Sequence, residues 1–252
     1  MIAYDGSKFH GFAKQPNVKT IESEILKRLN VKKLDYISRT DSGVSAFSQL
    51  IYIRETIDPL EANSKLPGCI IIHKAAREPR RNIKSLRAFV LEKEYIYVSI
   101  YHGESLRKLE MAINFINASF RDYTLLVKRP QKYPQEALRM KIKASFEKRS
   151  RFLLFKFRGK YFLWEQIRRL VTLIKSFALG FISEETFLGV FRGIPPKTGI
   201  GPAPPEGLAL WSIKTRIKFR ELISEDAVRK WLLSRLMNYA IAYSKSWAFV
   251  RE

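Results

Sequence analysis

The sequence predicts an α+β protein built as two subdomains, and three observations carry that expectation. Runs rich in β-branched and aromatic residues, among them LIYI, CIIIH and YIYVSIY, have the composition of buried strands. Before and after these runs lie segments whose apolar residues recur at helical spacing. This mixture of strands and helices occurs once before residue 103 and again after it. Two α+β halves, 1–102 and 103–252, whose sheets can meet in a shared groove account for the pattern.

Taken in order, Ile2, Tyr4 and Phe9 form a strand-like start that Pro16 and Asn17 end. Thr20 is an N-cap residue for a helix whose Ile21, Ile25, Leu26 and Leu29 share a face as far as Asn30. The polar, glycine-containing segment RTDSGVSAFSQ reads as a loop beside the strand LIYI. Leu66-Pro67-Gly68 marks a turn before CIIIH, and 89–101 closes the first half as a strand.

In the second half, Ser105 caps a helix with Leu109, Ala112, Ile113 and Ile116 on one side. A basic, proline-marked insertion without clear period follows at 128–143. The segment 152–157 reads as a strand and 161–180 as a long helix with Ile167, Leu170, Val171, Ile174 and Phe177 inward and Gly180 at its stop. The proline- and glycine-dense run 193–207 is a loop feeding the strand LALWSI. Ser224 then opens a final helix to about Lys245, with Val228, Leu232, Leu236 and Tyr239 along one stripe.

Charge narrows the function. Lysine and arginine total 46 against 24 acidic residues, a net charge of +22 in 252 residues. A surface so basic repels itself unless an anionic partner is present, and nucleic acid is the expected partner. Basic clusters at 128–129, 139–143, 148–151 and 216–220 are individually ordinary solvated faces and collectively suit a phosphate backbone. The apolar run at 170–181 is too short and too interrupted by charge to span a bilayer. The opening MIAYDGSKF has no basic leader and apolar core, so a cytoplasmic protein is expected. With Cys69 as the only cysteine, and His10, His73 and His102 scattered, neither an internal disulfide nor a metal site is expected.

The most informative segment is Ser38-Arg39-Thr40-Asp41-Ser42-Gly43-Val44, where a cation and a carboxylate sit two residues apart. Asp-Ser-Gly alone is ordinary turn chemistry. Its surroundings change the reading: Tyr4-Asp5-Gly6, then Phe9, Gly11 and Gln15, then Thr20-Ile21-Glu22, and Arg39-Thr40-Asp41-Ser42-Gly43-Val44 with Ala46 and Gln49. Further on stand Leu66-Pro67-Gly68, Arg87, Lys93-Glu94-Tyr95-Ile96-Tyr97, the segment 162–171 with Arg168, and Glu206-Gly207-Leu208. In order and spacing these residues resemble the signatures of the TruA-type tRNA pseudouridine synthases over most of the chain. Three departures stand out: Ser38 where the family usually has Gly, Ser45 where it has His, and Phe12-Ala13 where it has Trp-Gln.

The resemblance implies two α/β-sandwich (RRM/ferredoxin-like) subdomains with antiparallel sheets meeting at a central basic cleft. It further implies a homodimer, a tRNA substrate modified in the anticodon stem-loop, and no cofactor. It places the catalytic role on Asp41, as nucleophile or base, and nominates Arg168 as the cation that keeps the carboxylate charged and oriented. Tyr95 would lie against the target uracil, Arg39 would fill the stack the uridine leaves, and Arg87 would contact phosphate. Each has a plainer reading: Tyr95 as core, Arg168 as a solvent-facing cation. Two rival functions are a non-catalytic RNA-binding protein, which the three departures favour, and a phosphoryl-transfer enzyme, against which stands the lack of a GxxxxGK[ST] loop.

Overall fold

A computed structural model describes residues 1–77, 86–247 and 249; residues 78–85, inside the arginine-rich stretch 77–87, lie outside the described residues, as do 248 and 250–252. The chain forms two compact units, Met1–Tyr95 with Leu208–Asn238, and Ile96–Gly207 with Tyr239–Glu252. The first unit therefore ends inside the strand Val90–Ile100 and regains a strand and most of a helix late in the chain. A division at residue 102 leaves Leu208–Asn238 in the second half. The contacts put it in the first because strand Leu208–Thr215 pairs with Ser45–Gln49, Ala209 facing Ser45 and Leu210 facing Ala46.

In the first unit the strands lie in the order Leu208–Thr215, Ser45–Gln49, Ile2–Tyr4, Ile70–Ile72. Ile2–Tyr4 is antiparallel to both neighbours, with Tyr4 opposite Ala46 on one side and Ile70 on the other. Leu208–Thr215 runs parallel to Ser45–Gln49, so the sheet is mixed and the expectation of antiparallel sheets is corrected for this unit. A parallel neighbour needs a long crossover, and here residues 50–207 are the intervening chain.

The helix Ile21–Leu29 forms as its sequence dictates. Thr20 and Ser23 make a reciprocal capping box, Glu22 and Glu24 sit at the positive end of the helix dipole, and Lys27 and Arg28 at the negative end. Asn30 closes it in the left-handed region at φ 53°. The helix Pro59–Lys65 escaped the sequence reading, although Asp58 as N-cap and Pro59 in the first turn are its signals.

One element differs instructively. Ser45–Gln49, read as part of a polar loop, is a strand with every residue buried. Its polar side chains are tolerated because they are bonded. The Ser45 Oγ accepts from the Gly6 N–H at 3.0 Å, and Gln49 donates to the Ser38 carbonyl at 2.7 Å while accepting from the Ser38 N–H at 3.3 Å.

In the second unit the hairpin Lys143–Arg149/Phe152–Gly159 lies beside Val90–Ile100, with Ala144 opposite Phe157 and Phe146 opposite Phe155. Its core is the helix Gln166–Ala178, where Leu170, Val171, Leu173 and Ile174 are fully buried. Burying side chains of this size contributes about 1.5–3 kcal/mol each. Phe177 stacks on Phe187 at 4.9 Å, and Phe115, Phe191 and Tyr123 extend that aromatic cluster. The helix starts five residues later than 161–180 suggests. Glu165 takes φ 60°, outside the helical region, and Gln166 turns its side chain back to accept from the Leu163 N–H at 2.9 Å. Ser105 caps Leu106–Ala118 as expected, and Ser183 caps Glu184–Val190, which the sequence reading passed over. The last helix is Glu225–Ala242, ending short of Lys245.

Candidate active site

The loop that follows strand Leu34–Tyr36 carries Asp41 into the strand Ser45–Gln49 and is held largely by main chain. The Phe12 N–H donates to the Thr40 carbonyl at 3.1 Å, and the Val44 N–H closes a turn on the Asp41 carbonyl at 3.1 Å. The Gly43 N–H and the Ser42 hydroxyl both reach the Phe9 carbonyl, each at 3.4 Å. Tyr4 and Thr40 join hydroxyls at 2.8 Å beneath the loop. Two glycines make the arrangement possible. Gly11 sits at φ +87°, where an added Cβ would meet the Thr40 carbonyl oxygen at 2.9 Å, and Gly6 lies so close that a Cβ would overlap the Val44 carbonyl oxygen at 2.0 Å. Asp41 is half-buried at the crest, next to exposed Ser42.

The first unit holds three more residues named from sequence. Arg39 is exposed, and its Nε donates to the Tyr36 hydroxyl at 3.3 Å, so it is steadied at its base with its charge in solvent. Tyr95 is buried, and desolvation pushes its phenol up to about 12. The Ser38 hydroxyl bond opposes that rise and the negative charge of Asp41 adds to it, so the phenol and the carboxylate lie within electrostatic reach. Arg87 is exposed in the short 3-10 turn Leu86–Phe89.

Lys93 was not singled out from the sequence, yet it belongs to this group. Its ammonium donates to the Ser38 Oγ at 2.8 Å and the Ile37 carbonyl at 3.1 Å. Burial brings it down to about 8, with the charge of Arg87 adding to the fall. The signal was its place two residues before Tyr95 on one strand, which puts both side chains on the same face.

Arg168 lies in the second unit, on the helix Gln166–Ala178, and the reading of it as a solvent-facing cation does not hold: its side chain is only 9% exposed. It donates to the Ala203 carbonyl at 3.0 Å and faces Glu165 at 3.4 Å, and its charge acts on the buried Tyr97 phenol, whose hydroxyl donates to the Pro204 carbonyl at 2.8 Å. Beside it Arg169 is half-buried, bridging Glu165 at 2.7 Å and the Ile200 carbonyl. Arg39, Asp41, Arg87 and Tyr95 thus belong to one unit and Arg168 to the other.

The basic clusters are arranged by the strand period. On the hairpin, exposed Lys143 and Arg158 alternate with buried Ala144 and Phe157, so one side is packed and the other carries charge. Lys128 and Arg129 lie over the Trp164 ring, at 4.5 and 5.6 Å. Among the described residues, no helix is long and apolar enough to cross a membrane.

Comparison with known proteins gives the family. The family described as tRNA pseudouridine synthase matches residues 118–215. The tRNA pseudouridine synthase A of Thermococcus onnurineus is 33% identical over 248 residues, 91% of this chain and 88% of that protein. That of Pyrococcus furiosus is 32% identical over 224 residues, covering 84% and 81%, and that of Archaeoglobus fulgidus 31% identical over 225 residues, again 84% and 81%. Identity at this level, sustained along more than four-fifths of each pair, means that the chain belongs to the TruA-type tRNA pseudouridine synthase family.

Proposed function

We propose that this chain isomerises uridine to pseudouridine in the anticodon stem-loop of tRNA, with Asp41 as the nucleophile or base. The observation that carries the reading is the Asp41 loop. A half-buried carboxylate is held by main-chain bonds on a rigid support, beside a buried phenol that feels its charge. The reaction breaks the bond from ribose C1′ to uracil N1, turns the base and joins C1′ to C5. The hydrogen leaves C5, N1 gains one, and the product is an isomer, so no redox cofactor is called for. An aspartate carboxylate suits either role.

The other residues follow from the same reading. Tyr95 offers its ring to the extruded uracil, and Arg39, exposed and anchored at Nε, has the reach to occupy the vacated stack. Arg168 is the cation expected opposite the Asp41 carboxylate, a role for which its burial and fixed guanidinium suit it. Arg87 would meet phosphate. On this reading residues 1–102 form the subdomain with the catalytic loop, 103–252 form the one that completes a basic cleft, and a homodimer in the cytoplasm lets one tRNA meet two subunits.

The test is tritium release to water from tRNA transcribed with C5-tritiated uridine, comparing the parent with Asp41→Ala and Asp41→Asn. Release by the parent and at least about a thousandfold loss in both variants, with tRNA affinity kept within about threefold, supports the assignment. An Asp41→Asn variant that turns over at the parent rate overturns it. A parent that binds tRNA and releases nothing favours an RNA-binding protein.

A further inference from the structure

We propose that Ser38 is a positioning residue for the reaction, its hydroxyl joining the Lys93 ammonium to the Tyr95 phenol so that both side chains are held on the face that adjoins Asp41. The proposal rests on the reading that Asp41 and Tyr95 meet the target uridine.

Ser38 is 5% exposed, and its backbone is fixed on both sides: the Gln49 amide accepts from its N–H at 3.3 Å and donates to its carbonyl at 2.7 Å. The side chain therefore leaves a rigid point. An ammonium has donors only, so at the 2.8 Å contact Lys93 must donate and the Ser38 Oγ must accept. The same hydroxyl also has the Tyr95 phenol as a side-chain partner. Ser38 thus bonds both the Lys93 ammonium and the Tyr95 phenol, and bonds linked through one hydroxyl strengthen one another.

Lys93 and Tyr95, two apart on one strand, point to the same face, and Ser38 bridges them from the loop three residues before Asp41. The contact holds the phenol in one rotamer through its oxygen and ties the lysine to the catalytic loop by a second bond to the Ile37 carbonyl. Without the hydroxyl, the phenol loses this partner and a largely desolvated ammonium loses one acceptor. The consequence falls on the placement of groups around the uracil rather than on tRNA capture.

The test measures kcat, KM and tRNA affinity by tritium release for the parent, Ser38→Ala, Ser38→Gly, Ser38→Thr, Lys93→Met and Ser38→Ala/Lys93→Met, with Asp41→Ala alongside. The expected result is kcat lowered about tenfold in Ser38→Ala and Ser38→Gly, KM within about twofold, and recovery to within about threefold in Ser38→Thr, which keeps the hydroxyl. The double variant should be little worse than the worse single one. Two small replacements keep the test readable if one folds poorly. Parent kcat in either of them, a rise in KM alone, or losses that multiply in the double variant would overturn the proposal. If Asp41→Ala stays active, the underlying reading of the site fails instead, which the Ser38 variants by themselves would not reveal.

Discussion

Lys175 and Glu104 form an ion pair at 2.5 Å in which both side chains are 0% exposed, so removing Glu104's charge has a calculable cost. In Glu104→Gln the ammonium keeps the Ser99 hydroxyl at 3.0 Å, the Ile100 carbonyl at 2.7 Å and the face of Trp247 at 4.7 Å, but loses its counter-charge. Breaking one side of a buried pair costs roughly 3–5 kcal/mol. The lysine has an escape, because burial already brings it down to about 8. Shedding the proton at pH 7, from an unfolded-state pKa of about 10.4, sets a ceiling of about 5 kcal/mol. The expected loss is therefore about 3 kcal/mol at pH 7. The sign of its pH dependence follows from a folded pKa below the unfolded one. The unfolded chain binds more protons between about 8 and 10.4, so stability contributed by this group rises with pH there, and in Glu104→Gln the rise starts lower. Urea denaturation followed by circular dichroism at pH 7, 8 and 9 reads both effects. Glu104→Gln/Lys175→Met, which removes both charges, should lie within about 1 kcal/mol of the parent. A single variant as stable as the parent, or a double variant as weak as the two singles added, would refute the reasoning.

Three further outcomes are expected. His73 is buried and brought down to about 4, chiefly by desolvation, while its Nε2 donates to the Phe47 carbonyl at 2.9 Å; stability should fall as pH drops from 6.5 toward 4, by a limit on the order of 3 kcal/mol, and His73→Gln should flatten that slope in acid titrations of unfolding. Gly6→Ala drives a Cβ into the Val44 carbonyl oxygen, so a loss of about 2 kcal/mol or more in denaturation is expected together with lower turnover, since Val44 closes the Asp41 turn; unchanged stability would mean that the loop yields freely. Lys143→Gln/Arg158→Gln removes two exposed charges from the hairpin and should weaken tRNA binding while lowering the slope of log affinity against log salt by up to about 2, measured by filter binding from 50 to 200 mM salt.

Helix starts were legible because their signals are local. Thr20, Ser105 and Ser224 are capping residues directly before apolar periodicity, and the first two cap their helices as that chemistry requires. The strand Ser45–Gln49 was not legible, since its polar residues find partners only across the fold, Ser45 at Gly6 and Gln49 at Ser38. The parallel return of Leu208–Thr215 is hidden for the same reason: nothing near residue 208 says which strand it will meet. The site divides likewise. Arg39 and Asp41 stand in one short motif, whereas the burial of Arg168 depends on carbonyl acceptors 35 residues away, and the role of Lys93 depends on a partner 55 residues earlier.

The departures from the family pattern fall into two physical kinds, and the difference bears on which of them alter function. Phe12 replaces a usual Trp, but its tie to the catalytic loop is its backbone N–H on the Thr40 carbonyl, which any residue but proline supplies. Its ring packs against Tyr36 at 4.5 Å and Tyr4 at 5.9 Å, an apolar contact that another aromatic can make. Ser45 likewise spends its hydroxyl on the Gly6 N–H inside the sheet, a structural bond. Ser38 differs from both. Its backbone would be held by Gln49 whatever the side chain, so its hydroxyl is an addition to the fold, and that hydroxyl is spent on Lys93 and Tyr95 beside Asp41. Substitution at Phe12 or Ser45 should therefore appear first in stability, and substitution at Ser38 first in turnover. Denaturation midpoints and kcat measured on Phe12→Leu, Ser45→Ala and Ser38→Ala separate the two. A Ser45→Ala variant that loses kcat while keeping its midpoint would place that residue with Ser38.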